Sequence, residues 1–173
     1  MNAKAMSLKA KIKNYAIKNN IAAQVVLQNF MFERFLARLS RSKYSQMFVI
    51  KGGMLIASSV GIDTRATMDL DATLRNLPLK KEEIEKAVRE ICAQHLDDDV
   101  RFEIKSIECI RKDDVYGGYC VKMQAFYETI VTPLSLDIST GDIITLAAVP
   151  YEFIGMFDNS IRIKLWVYNI ETV

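Results

Sequence analysis

Three aspartates carry the chemistry this sequence can support. Asp69 and Asp71 lie two apart in a segment, residues 65–74, that alternates almost without fault. Arg65, Thr67, Asp69, Asp71 and Thr73 fall on one face, and Ala66, Met68, Leu70, Ala72 and Leu74 on the other. Strand side chains alternate with a period of two, so this spacing predicts a strand with an apolar core side and an acidic working side. Asp137 sits in a second alternating run, Leu134 to Ser139, whose polar face is Ser135, Asp137 and Ser139. If the two strands pair, the carboxylates of Asp69, Asp71 and Asp137 converge. Hard oxygen ligands of this kind suit Mg²⁺, which keeps several waters and takes further oxygens from substrate phosphates. Such a cluster fits metal-assisted phosphoryl chemistry. Without a cation it would be costly, because close like charges repel.

A second motif precedes the first carboxylates. Phe48-Val49-Ile50 is a short apolar strand ending at Lys51-Gly52-Gly53, and residues 54–60 follow as a short helix that stops at Gly61. Glycines let the backbone approach a ligand, and N–H groups at a helix start can hold a phosphate. Lys51 is placed to pair with a triphosphate. Arg65 serves either to orient the carboxylates or to neutralise them, and Thr67 reads equally well as a β-former. Asp97-Asp98-Asp99 reads as a solvated loop, His95 as a surface residue, and Trp166 with Tyr and Phe at 126, 127, 151 and 153 as core.

The elements that must position these residues suit an ordinary globular chain. Half of the 173 residues are hydrophobic and a quarter charged, which rules out a disordered or collagenous chain. No run is long and apolar enough for a transmembrane helix, so no membrane partner is expected. The opening residues do not read as a secretory signal, and the three cysteines form no CxxC pair. The expected location is cytoplasmic, with Cys92, Cys109 and Cys120 as small buried residues. The net charge of +2 hides an asymmetry: residues 1–45 hold nine basic residues against Glu33 alone. That basic helical segment, 1–45, is expected either to present a solvated face or to meet phosphate backbones, ahead of a core at 46–173.

Residues 4–19 and 21–40 read as helices, the second more strongly periodic. Pro78 is expected to open a helix running to about 95, with Glu82 and Glu83 in its first turn. Strands are expected at 100–111 and 118–130, then Leu134 to Ser139 set apart by Pro133, a turn at Gly141-Asp142, and a last strand at 161–168. The order predicts an α+β domain with a mixed sheet rather than a doubly wound parallel one.

Phe48-Val-Ile-Lys-Gly-Gly-Met-Leu55 and Arg65-Ala-Thr-Met-Asp-Leu-Asp71 resemble the AbiEii/AbiGii-type toxin nucleotidyltransferases of the DNA polymerase beta-like superfamily. The family pattern is an apolar strand, Lys-Gly-Gly, a short helix, and Arg-x-Ser/Thr-x-Asp-hydrophobic-Asp. Leu134 to Asp142 is similar to the strand bearing the family's third carboxylate. Met54 departs from the small hydroxyl residue often found after Gly-Gly. The resemblance implies a polymerase beta-like core, a sheet with N-terminal helices packed against it. It implies that Lys51, Gly52, Gly53, Arg65 and Thr67 bind the nucleotide. It implies that Asp69, Asp71 and Asp137 bind Mg²⁺ and serve catalysis. The implied function is that of a toxin in an abortive-infection or toxin–antitoxin system. It moves a nucleotide from NTP to a hydroxyl of RNA (tRNA-like) or protein, with an antitoxin protein as partner. Family members continue past Ile170-Glu-Thr-Val173 into a helical region with further motifs, so the chain reads as the front part of a longer enzyme. The competing reading is a catalytically inactive or truncated domain of this fold acting in antitoxin or RNA binding.

Overall fold

The structure is a computed structural model and describes residues 3–51, 69–110, 117–139 and 148–168. Its elements run α1 (Ala3–Asn19), α2 (Ala23–Arg41), β1 (Phe48–Lys51), β2 (Asp69–Leu74), α3 (Lys81–Cys92), β3 (Val100–Ile110), β4 (Gly118–Tyr127), β5 (Ile130–Ser139), β6 (Ala148–Ile154) and β7 (Arg162–Tyr168). The strands form one seven-stranded mixed sheet in the order β3-β4-β5-β2-β1-β7-β6. β3-β4-β5 is an antiparallel meander. β2 joins it in parallel through β5, and β1 runs antiparallel to β2 but parallel to β7. This is the α+β class with a mixed sheet that the element order predicts.

The helices lie on one face of the sheet. α1 buries a stripe of Ala5, Leu8, Ile12 and Ala16 at three- and four-residue steps. α3 does the same with Ile84, Ala87, Val88 and Ile91. α2 is the central helix, in contact with α1, α3, β5 and β7. Every residue from Met31 to Leu39 is buried, as expected of a helix packed on all sides. Strand residues of one parity complete this core: Phe48 and Ile50, Leu70 and Ala72, Leu134, Leu136 and Ile138, and Leu165 and Val167.

Burial of α2 revises the reading of the basic N-terminal segment. Arg34 and Arg38 face inward. Arg38 makes two bonds to the Asp98 carboxylate, at 2.8 and 2.9 Å, and a third to the carbonyl of Val100 at 2.7 Å. Arg34 donates to Glu33 at 2.8 Å and lies 3.6 Å from Asp98. Asp98 is therefore not a solvated loop residue: it ties the turn before β3 to the central helix. The other Glu33 oxygen accepts the backbone N–H of Met156 at 2.8 Å, and burial raises the Glu33 pKa against these bonds. Lys4 pairs with Asp99 and Lys43 with Glu90. The solvent-facing positive charge of this segment thus rests chiefly on Lys9, Lys11, Lys13, Lys18 and Arg41, all exposed.

Three element boundaries differ from expectation. α3 begins at Lys81 rather than at Pro78, and the carbonyl of Pro78 instead accepts the N–H of Lys80. β5 begins at Ile130 and runs through Pro133. Pro133 is paired with Gln124 of β4, and its carbonyl accepts the side-chain amide of Gln28 on α2 at 3.1 Å. β4 ends at Tyr127. The expected turn at Gly141-Asp142 lies outside the described residues. Of the cysteines, Cys109 is exposed, and Cys92 and Cys120 are only partly buried.

Gly118 opens β4 where it meets the end of β5. A Cβ there would lie 2.4 Å from the carbonyl oxygen of Ile138. Gly118→Ala must push the two strands apart next to Asp137 and is expected to cost about 1–3 kcal/mol, read as a lower urea midpoint with an unchanged m-value.

Candidate active site

The face of the sheet turned away from the helices carries the polar strand residues. β2 and β5 pair in parallel with Asp71 opposite Asp137, Asp69 opposite Ser135 and Thr73 opposite Ser139. Lys51 of β1 is opposite Asp71, and Cys120 of β4 is opposite Asp137. One row, Lys51–Asp71–Asp137–Cys120, therefore crosses four neighbouring strands. The adjoining row holds Asp69, Ser135 and Lys122. Because strands lie about 4.8 Å apart, Asp71 and Asp137 are immediate neighbours on one face. Both are partly exposed, open to solvent on one side and backed by the core on the other.

The arrangement has a physical cause. Leu70 and Ala72, and Leu136 and Ile138, point into the helix-covered core, so the residues between them must point out. The core fixes the register, and the register sets the two carboxylates side by side. At such a spacing two negative charges repel by about 1–4 kcal/mol between the water and near-surface limits. A cation between them removes that cost.

Cys120 shares this row. Its thiol stands beside Asp137, its register partner on β5. Burial, reinforced by the neighbouring Asp137 charge, pushes the thiol up to about 11. It is a neutral hydrogen-bond donor at physiological pH rather than a nucleophile. Cys120 is thus not the small buried residue expected of it, and Lys122 joins it on the polar face. The signal was available in the alternation of β4, where Cys120, Lys122 and Gln124 separate the buried Val121, Met123 and Ala125.

Of the other residues singled out from the sequence, Gly52, Gly53, Arg65 and Thr67 lie outside the described residues. For Lys51 and Asp69 the backbone alone is described. The structure thus brings Asp71 and Asp137 together and sets the Lys51 and Asp69 positions beside them. Among the described residues no group of three His, Cys, Asp or Glu side chains is close enough to hold a metal ion. The Asp71–Asp137 pair nevertheless fits Mg²⁺, which commonly takes one or two carboxylates and completes its shell with water and phosphate.

The sheet, with helices on one face and an acidic row on the other, shares its fold with a solved structure. It is similar to a proposed nucleotidyltransferase from H. pylori, at 17% identity and a TM-score of 0.51, over 88% of this chain and 56% of that one. JHP933 from Helicobacter pylori aligns at 16% identity and a TM-score of 0.49, over 87% of this chain and 54% of its own. The chain thus spans little more than half the length of these structures. No curated protein matches it in sequence. Residues 34–173 match the family model described as nucleotidyl transferase AbiEii toxin, type IV toxin–antitoxin system, and the chain belongs to that family. No helix among the described residues is long and apolar enough to cross a membrane.

Proposed function

We propose that this chain is the core of a toxin nucleotidyltransferase that moves a nucleotide from NTP to a hydroxyl of an RNA or protein acceptor. The observation that carries this reading is the register of β2 and β5, which sets Asp71 beside Asp137 on the open face. Family membership supports the reaction class and an antitoxin partner. In the reaction the acceptor oxygen attacks the α-phosphorus in line, the bond to the β-phosphate oxygen breaks, and pyrophosphate leaves. Asp69, Asp71 and Asp137 would hold Mg²⁺, which when bound neutralises phosphate charge and polarises the phosphorus. Asp137 accepts a hydrogen bond from the attacking hydroxyl and favours loss of its proton. Lys51, Gly52 and Gly53 hold the triphosphate, with Arg65 and Thr67 beside them. Catalysis by these groups is positioning together with charge neutralisation.

Thermal denaturation with each of the four NTPs, with and without Mg²⁺, tests the site directly. An NTP at 100 times its Kd stabilises by about 2.7 kcal/mol, which for a chain of this size raises Tm by about 5–10 °C. The rise is expected only with Mg²⁺ and is lost in the Asp69→Ala/Asp71→Ala double variant. No shift with any NTP overturns the proposed site.

A further inference from the structure

Trp166 is the chain's single tryptophan. Its neighbours on β7, Leu165 and Val167, are buried in the core, yet Trp166 itself is partly exposed. The register explains this. Trp166 is opposite Val49, and Val49 is opposite Thr73, so Trp166 stands on the carboxylate face. Its row is one two-residue step from the row of Asp71 and Asp137. Two strand spacings across and one step along place its Cα roughly 12 Å from that of Asp71.

A cation covers the ring. The Arg75 guanidinium carbon lies 4.9 Å from the Trp166 centroid. Arg75 is fixed from its own end: its backbone N–H donates to Met47 at 2.9 Å and its Nε to the Gln46 carbonyl at 2.6 Å. Among the described residues no carboxylate pairs with Arg75 and no acceptor is bonded to its Nη groups. This contrasts with Arg34 and Arg38, whose Nη groups are spent on carboxylates. Beside Arg75 opens a cavity of about 250 Å³, lined by Ser42, Lys43, Ser45, Gln46 and Asn76 as well as Arg75 itself. That lining offers the Arg75 guanidinium and several neutral donors, with Lys43 already paired to Glu90.

A planar guanidinium on an indole, next to a basic and polar cavity, meets the needs of one nucleotide. Unpaired bases stack on aromatic rings and arginine planes, and phosphates meet nearby cations. We infer that Trp166, Arg75 and the cavity beyond the end of β2 form a nucleotide subsite that reaches the carboxylate face at Trp166, taking an unpaired base with its phosphate. The base belongs either to a single-stranded RNA acceptor or to the incoming NTP. The subsite goes beyond the transfer reading, since binding there is measured without turnover.

The lone tryptophan makes the test direct. Trp166 emission is followed while an unstructured eight-residue oligoribonucleotide, or each NTP, is titrated in. The subsite is expected to show quenching that weakens between about 50 and 200 mM salt. Arg75→Ala is expected to weaken binding about 5-fold or more, and Arg75→Lys nearly as much, because lysine keeps the charge and loses the stacking plane. Quenching by the oligonucleotide assigns the base to the acceptor, and quenching by NTP alone assigns it to the donor. Unchanged melting of the Arg75 variants shows that the fold is intact. The oligonucleotide arm is read without NTP or Mg²⁺, where no transfer occurs, so its outcome is separable from that of the transfer reading. Absence of quenching by either ligand, or quenching that both Arg75 variants retain in full, overturns the inference.

Discussion

Asp137→Asn is expected to lower nucleotide transfer at least about 100-fold while leaving the protein folded. The substitution keeps the shape of the side chain and replaces an anionic oxygen with an amide that cannot ligate a cation. Loss of a single preorganised charge or donor at a reaction centre costs about 10²–10³ in rate. Stability should hold or rise slightly, because the repulsion between neighbouring carboxylates is removed. Asp71→Asn follows the same logic from the adjacent strand. The measurement is transfer of label from NTP to total RNA, with melting temperatures recorded for the same preparations. Transfer within threefold of the parent in both variants would remove the carboxylate pair from the chemistry.

Asp98→Ala is the substitution expected to damage the fold most. Asp98 takes two bonds from Arg38 and lies close to Arg34, and the side chains of both arginines are under 10% exposed. Removing the carboxylate leaves the buried Arg38 guanidinium without an anionic partner, while Arg34 keeps Glu33. Breaking a buried pair from one side costs about 3–5 kcal/mol, a large part of the 5–15 kcal/mol that typically holds a domain together. The urea midpoint should fall by at least about 1 M. Lys4→Ala, which breaks an exposed pair with Asp99, serves as the control and should leave the midpoint unmoved. If Asp98→Ala behaves like the control, the Arg38–Asp98 tie does not hold the turn to the helix.

These two carboxylates illustrate what a sequence discloses and what it withholds. The side of the chain on which Asp71 and Asp137 stand was legible, because alternation is local and both strands alternate cleanly. That β2 and β5 are neighbours, parallel and in step was not legible, since pairing of distant strands depends on the whole core. The same limit applied to Asp98. Three successive aspartates read as a solvated turn until α2 supplies two buried arginines for one of them. Arg34 and Arg38 read as part of a solvated basic face because helical periodicity shows which residues share a face, not how many faces are covered. Pro133 reads as a strand boundary, whereas pairing with Gln124 of β4 carries β5 through it. β6, Ala148–Ile154, carries a proline at its third residue and weak alternation, and its pairing with β7 is what makes it a strand.

The position of β5 in the sheet has a consequence for how the molecule assembles. On one side of β5 lies a meander of hairpins, whose contacts are close in sequence and quick to form. On the other lie β2, β1 and β7, brought together from distant parts of the chain at a greater loop-closure cost. Asp71 and Asp137 stand on opposite sides of that seam. A nascent or partly folded chain can hold the hairpins and still lack the carboxylate pair, which comes into being only when the slower half docks.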